Sequence, residues 1–273
     1  MIATAWDFDS AVRGYRWNAT TPQRATVLLA HGFGEYAGRY VGHYCQLIPA
    51  LTGAGVAVHA FDLPGHGGSP GRRGVVDVSQ AVDLHLRARR KLAGSGPLFL
   101  LGHSLGGLVT AASVARDGAG VAGVVLSAPA LLIEAPALLK LVGRALARVA
   151  PAAGIRPPLD PAGISRIAAE VEAYRADPQV YRGKLPALTG ASALAAAEDG
   201  WRRYAGWTAP VLVLHGSADS FTDPRGSERF MATVPAEDKR LERFADGRHE
   251  LLNDLERDRA KTLVLDWIGA RLA

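Results

Sequence analysis

Five short apolar runs constrain the fold more than any other feature: ATVLLA (25–30), VAVHAF (56–61), LFLLG (98–102), VAGVVLS (121–127) and VLVLHG (211–216). Each is bounded by Gly, Pro or Asp. None shows the polar alternation of a strand with one wet face, so all five read as strands covered on both sides. Helical spacing falls between them, over about 38–53, 77–93, 105–117, 224–233 and 257–272. Alternating strands and helices predict an α/β domain with a mostly parallel, doubly wound sheet. TAWDF and VRGYRWNA near the start read as an antiparallel pair, and KRLERFA (239–245) as a late edge strand.

The alternation fails between Ser127 and Pro210, a stretch too long for an ordinary connection. Three segments there have helical spacing: ALLIEAPALLKLVGRALARV, SRIAAEVEAYRADPQVY and LTGASALAAAEDGWRRYAGW. The expected organisation is a core of residues 1–128 and 208–273 with a helical cap, 129–207, inserted over the sheet. In Leu131–Val149, Lys140, Arg144 and Arg148 recur every four residues as one narrow basic stripe on an otherwise apolar helix. Such a helix is either packed onto the core, set against a lipid surface, or part of an acyl tunnel.

Composition removes several classes. Charged residues are 21% and hydrophobic residues 48% of 273, so a large core is available. Lys and Arg exceed Asp and Glu by five, but apart from RARRK (87–91) they are scattered, which argues against a nucleic-acid partner. RARRK ends a helical pattern, where cations complement the helix dipole. The single cysteine, Cys45, excludes an internal disulfide and a multi-cysteine metal site; in YVGHYCQLIPAL it reads as a buried helical thiol. The opening residues lack a basic segment followed by an apolar one, no run reaches the ~20 apolar residues of a membrane span, and a cytoplasmic protein is expected.

The chemistry centres on Gly102-His103-Ser104-Leu105-Gly106. This is G-x-S-x-G between a strand and a helix, the context in which a serine sits on a sharp turn as a nucleophile. Glycines on either side leave room for the turn. The Leu105 amide, at the helix start, faces a developing oxyanion. A serine hydroxyl needs a base. Of the histidines, His103 adjoins the nucleophile but is expected to point away from it. His43, His59 and His85 lie in helix or strand patterns, and His31 and His66 in glycine-rich loops. His249, in FADGRHELLND before the last helix, is the expected base. Asp219, just after VLVLHG, is the expected acid, with Asp223 as the alternative; Asp223 precedes Pro224 and also suits a helix N-cap. The loop HGFGEYAGRY after the first buried strand offers the Phe33 amide as the second oxyanion donor. FDLPGHGGSPGRRG (61–74) matches no phosphate-binding motif and reads as a rigid turn.

HGFGEYAGRY, FDLPGHGGSPGRRG, GHSLGG, SAP, HGSAD and GRHELLND together resemble the monoacylglycerol lipase branch of the α/β-hydrolases, which borders serine aminopeptidases and lysophospholipases. The resemblance spans about 25–270. It implies an α/β-hydrolase fold, a Ser104–Asp219–His249 triad, oxyanion amides at Phe33 and Leu105, and Glu35 and Arg39 as substrate-binding residues near a glycerol-binding end. The alternative for Glu35 and Arg39 is a local salt bridge. One departure stands out: the mammalian lipase carries a second histidine three residues after the catalytic one, and this chain has Leu252 there. The expected function is therefore carboxylic-ester hydrolysis, most specifically of monoacylglycerols, with no metal or organic cofactor and with peripheral membrane contact through the cap. A lysophospholipase, a general carboxylesterase, an aminopeptidase or a catalytically silent binding module are the alternatives.

Overall fold

The computed structural model describes residues 2–272. The chain opens with β1 (Thr4–Ala5), β2 (Gly14–Trp17) and β3 (Ala25–Ala30), followed by helices α1 (Arg39–Gly42) and α2 (Leu47–Gly53). Then come β4 (Val56–Phe61), α3 (Val78–Leu92), β5 (Leu98–His103), α4 (Ser104–Arg116) and β6 (Gly123–Ser127). The stretch up to Pro210 holds α5 (Ala137–Val149), β7 (Gly154–Arg156), α6 (Ala168–Ala176), β8 (Leu185–Pro186) and α7 (Ala187–Arg203). The chain returns through β9 (Val211–Gly216), α8 (Pro224–Thr233), β10 (Lys239–Phe244) and α9 (Arg257–Gly269).

Eight strands form one sheet in the order β1-β2-β4-β3-β5-β6-β9-β10. Its first two pairings are antiparallel and the other five parallel. The apolar runs explain this. Leu98 and Leu100 of β5 enter one core cluster with α3, α4, α7 and α8, while Phe99 and Leu101 enter a second with α2 and α9. Period-two side chains thus feed two buried faces, and every residue of β3, β4, β5, β6 and β9 is buried.

The antiparallel opening pair and the edge strand form where the sequence implies, although β10 pairs in parallel with β9. The expected helix over 38–53 is corrected: it breaks between α1 and α2, where Tyr44, Cys45 and Gln46 all take left-handed φ angles of 52°, 51° and 53°. Cys45 is consequently half-buried, and its thiol donates to Asp258 Oδ1 at 3.2 Å rather than packing in the core. The apolar run from Leu131 becomes helical only at Ala137, after Pro136.

Helix α5 buries none of its thirteen residues. Lys140 and Arg144 of the basic stripe bind Glu198 of α7 at 2.7 and 3.2 Å. This turns the polar side toward the protein and leaves Leu138 and Leu141 exposed, at 70% and 66%. One side of α5 therefore packs on α7, while its outer face is left uncovered.

The crossing of β5 and α4 depends on glycine. A Cβ on Gly106 would lie 2.1 Å from the Ala30 carbonyl oxygen, and one on Gly102 would lie 2.5 Å from the Gly106 carbonyl oxygen. Gly106→Ala is expected to lower the unfolding free energy by about 3 kcal/mol, because backbone cannot yield as a side chain does. Gly143→Ala on α5, where a Cβ meets nothing within 4 Å, is expected to raise it by about 0.5–1 kcal/mol. Urea unfolding of the two variants checks the contrast, and equal effects would contradict this packing.

Candidate active site

Ser104 is the last link between β5 and α4 and carries φ 54°. A non-glycine residue in this region is strained. Four contacts hold it. Gly102 and Gly106 permit the close strand–helix crossing, Gly107 lies where a Cβ would meet Pro129 at 2.8 Å, and the Ser104 carbonyl accepts from the Ala130 amide at 3.1 Å. The side chain is half-buried at the carboxyl end of a central strand, and among the described residues it makes no hydrogen bond to His249. Such contacts are often long in unliganded sites.

His249 and Asp219 meet across two loops. Gly216, which ends β9, has no room for a Cβ: it would stand 2.1 Å from the Gly247 carbonyl oxygen. That approach brings the loop after β10 against the loop after β9. His249 Nδ1 donates to Asp219 Oδ2 at 2.8 Å, which fixes the proton on Nδ1 and leaves Nε2 unprotonated in the neutral ring. Burial alone would lower the pKa of His249. The Asp219 charge and hydrogen bond outweigh burial and raise it above the usual value. Burial would raise Asp219, but the His249 charge and the bonds from His215 and His249 hold it far below the usual carboxylate range. Asp219 Oδ1 also accepts the backbone N–H groups of Phe221 and Thr222 at 2.8 and 3.1 Å. Asp223, the alternative acid, caps α8 by accepting from the Arg225 amide at 2.9 Å.

His215 was not visible as a site residue in the sequence. It lies inside the apolar run VLVLHG, and a strand histidine gives no signal of its own. Its Nε2 lies 3.3 Å from Asp219 Oδ2, and its Nδ1 lies 2.7 Å from Ser227 Oγ on α8. Nε2 also lies 3.3 Å from the Thr222 carbonyl oxygen, and because both oxygens only accept, Nε2 carries the proton. One oxygen of Asp219 thus has His249 bonded to it and His215 beside it.

The loop after β3 packs onto Ser104. A Cβ on Gly32 would lie 3.1 Å from the Ser104 Cβ. His31 Nδ1 donates to the Gly32 carbonyl at 2.8 Å, while its Nε2 accepts the Leu63 amide at 2.9 Å. In a trans peptide the C=O and the following N–H point oppositely. Drawing the Gly32 carbonyl toward His31 therefore aims the Phe33 amide away from it. Leu105 is the second residue of α4, where an amide has no intrahelical acceptor. His103 is buried, its Nδ1 on the Ser127 carbonyl at 3.1 Å and its ring 4.8 Å from that of His249. Burial lowers its pKa to about 4, and His66 beside the loop is lowered to about 3, again by burial. Both rings are neutral scaffolding at pH 7.

Glu35 and Arg39 are a correction. Both are 2% exposed, and protein groups occupy their polar atoms. Glu35 accepts from the Gly32 amide at 2.6 Å, Tyr40 Oη at 3.0 Å and Tyr44 Oη at 2.9 Å. Arg39 binds Glu35 at 3.1 Å and Glu250 at 2.9 and 3.2 Å. The pair is an ion pair inside the protein and not a surface for a substrate hydroxyl. Leu252 is buried in the apolar cluster beneath α9.

Beside Asp219 opens a cavity of about 450 Å³, with Leu132, Ile133, Phe221 and Arg156 in its wall. A second, of about 470 Å³, lies between α5, α7 and α8. The 131–135 segment borders both. The cavity beside Asp219 is lined mostly by polar groups, and Leu132 and Ile133 are the apolar residues it shares with the cavity bordered by α5.

A family model described as serine aminopeptidase, S33, matches residues 21–256. The monoacylglycerol lipase of Mycolicibacterium smegmatis is 35% identical over 263 residues, covering 94% of this chain and 92% of its own. The monoglyceride lipase of Homo sapiens is 33% identical over 250 residues, covering 88% and 80%. The crystal structure of the Paleococcus ferrophilus monoacylglycerol lipase superposes with a TM-score of 0.86 at 33% identity, over 95% of this chain and 99% of that one.

A base with a raised pKa has a pH signature. His249 accepts a proton only when neutral, so kcat/KM is expected to rise with pH through a limb centred above the ordinary 6.5 of histidine. A pH–rate profile with a soluble aryl ester measures it. A limb centred well below 6.5 would remove the Asp219–His249 pair from the mechanism.

Proposed function

The chain belongs to the serine aminopeptidase family of α/β-hydrolases, within which relatives a third identical to it are monoacylglycerol lipases, and from that premise we propose that it is itself a monoacylglycerol lipase. It is a serine ester hydrolase. In the reading proposed, Ser104 Oγ attacks the ester carbonyl carbon as His249 Nε2 takes its proton. The tetrahedral oxyanion accepts the N–H groups of Phe33 and Leu105. The bond to the glycerol oxygen then breaks, and His249 returns the proton to that leaving oxygen. Water, deprotonated by His249, attacks the acyl carbon; the intermediate collapses, the fatty acid leaves and Ser104 regains its proton. Asp219 holds the imidazole and balances its charge throughout.

The observation that carries the lipid reading is α5. Five large apolar side chains, Leu138, Leu139, Leu141, Val142 and Val149, stand more than half exposed on this one helix. A patch of this kind on the stretch lying over the sheet's carboxyl edge suits an aggregated lipid surface. Residues 129–207 then act as a cap that delivers an acyl chain, with the wall at Leu132 and Ile133 leading toward the site. No helix of the described residues is long and apolar enough to cross a membrane, so the contact proposed is peripheral.

Two experiments test this. A hydrolysis panel of monoacylglycerols, diacylglycerols, lysophospholipids, aryl esters and aminoacyl amides is expected to favour monoacylglycerols, and Ser104→Ala is expected to abolish every activity by about 10⁴-fold or more with the fold intact. Preference for aminoacyl amides would make the chain a peptidase instead. The doubly substituted L138D/L141D is expected to lower hydrolysis of long-chain monoacylglycerol on phosphatidylcholine vesicles by about tenfold or more. It should leave a soluble butyrate ester unaffected. Equal rates on vesicles would remove the membrane role of α5.

A further inference from the structure

The buried cluster around Arg39 joins the two halves of the site. The loop bearing His249 is anchored outside by backbone bonds: the His249 amide donates to the Gly163 carbonyl at 3.3 Å and the Glu250 amide to the Ile164 carbonyl at 2.8 Å. Arg248 adds side-chain bonds to the Ala162 and Ser165 carbonyls, and the anchor toward the β3 loop is Glu250, whose carboxylate accepts two N–H groups of Arg39, at 2.9 and 3.2 Å, and Nδ2 of Asn253 at 2.6 Å. The same guanidinium reaches Glu35 at 3.1 Å, and Glu35 Oε1 accepts the Gly32 amide at 2.6 Å. Gly32 touches the nucleophile and precedes the Phe33 amide. One unbroken path, Glu250–Arg39–Glu35–Gly32, thus runs from the residue after the base to the residue before an oxyanion donor. No ionised side chain along it is more than 4% exposed.

Stability does not account for the cluster. Two carboxylates and one guanidinium out of water cost several kcal/mol per ion, and apolar residues of equal volume usually serve as well or better. The surroundings are also strained: Tyr44, which donates to Glu35 and whose amide donates to Asn253 Oδ1, sits in the three-residue left-handed turn. Bidentate geometry, however, fixes distance and angle as apolar packing does not. We infer that Glu250 is a positioning residue for the ester hydrolysis, acting through Arg39 and Glu35 to hold the base loop and the oxyanion loop at a fixed separation. This rests on the serine-hydrolase reading of Ser104 and His249.

The cluster has a second effect on the base. The charged and titratable groups facing His249 are Asp219 from the β9 loop, His103 from β5, and Glu250, Glu35 and Arg39 from the cluster. His103 is neutral, so the cluster contributes a formal excess of one negative charge. Neutralising Glu250 removes that charge and disfavours the imidazolium.

E250Q keeps the shape and an acceptor for Arg39 but loses the charge. With p-nitrophenyl butyrate, kcat is expected to fall about tenfold with KM within about twofold of the parent, since loosened placement harms the transition state more than binding. The acid limb of kcat/KM is expected to move to lower pH, and the melting temperature to fall because one buried ion is neutralised. Parental kcat and an unmoved limb in a folded E250Q would overturn the inference. So would a kcat loss that tracks melting temperature with the limb unmoved, because that is structure alone. If E250Q does not fold, Y44F decides, since it removes one hydroxyl from Glu35 and no charge. A folded Y44F with kcat lowered about threefold supports the strut, and one with parental kcat overturns it. Ser104→Ala run alongside separates the two claims: activity in that variant sinks the serine mechanism, whereas an unaffected E250Q sinks only the strut.

Discussion

Everything at the site depends on how closely β5 and α4 are allowed to cross. The turn between them has Ser104 at φ 54°, and glycines at 102, 106 and 107 sit where a Cβ would strike backbone or Pro129. That crossing puts the serine at the end of a fully buried strand and the first amides of α4 beside it. It also lets the β3 loop reach Ser104 through Gly32. The same device recurs at Gly216, which admits the Gly247 carbonyl and so brings His249 to Asp219. The site is assembled by four loops, and in each the absence of a side chain sets the approach.

Electrostatics then decides what the assembled groups do. Burial acts on all of them and favours neutral forms. It wins at His103 and His66, which are pushed down to about 4 and 3. It loses at His249, where Asp219 is 2.8 Å away, and at Asp219, which two histidines, Thr222 Oγ1 and two amides grip. A histidine poised to accept a proton stands 4.8 Å from one that does not. The difference is a carboxylate partner and not exposure.

The sheet was legible because buried parallel strands leave unbroken apolar runs, and the serine because its motif fell between such a run and a helix. Asp219, His249 and the Phe33 loop were legible by their place after strands, and the structure brings them to one end of the sheet. Other features left no trace. Tyr44–Gln46 break the helix over 38–53, with Gly42 before the break and Pro49 after it as its only local signals, and the three left-handed residues themselves carry none. Cys45 followed that break out of the core. His215 was hidden in an apolar run, where its neighbours described a strand and its own chemistry needed a partner 3.3 Å away in space. Glu35 and Arg39 suggested either a local pair or a substrate contact. Glu250, a third member 211 residues along the chain from Arg39, settles the matter, and no local pattern carries that information.

The most direct measurement is a covalent one. A p-nitrophenyl carbamate transfers a slowly hydrolysed carbamoyl group to an activated serine, and intact-mass and peptide mass spectrometry locate it. One carbamoyl group per chain, on the peptide containing Ser104, absent in Ser104→Ala and strongly slowed in His249→Ala, is the result expected. Modification at another residue, or ester hydrolysis at full rate with Ser104 replaced, would contradict the account.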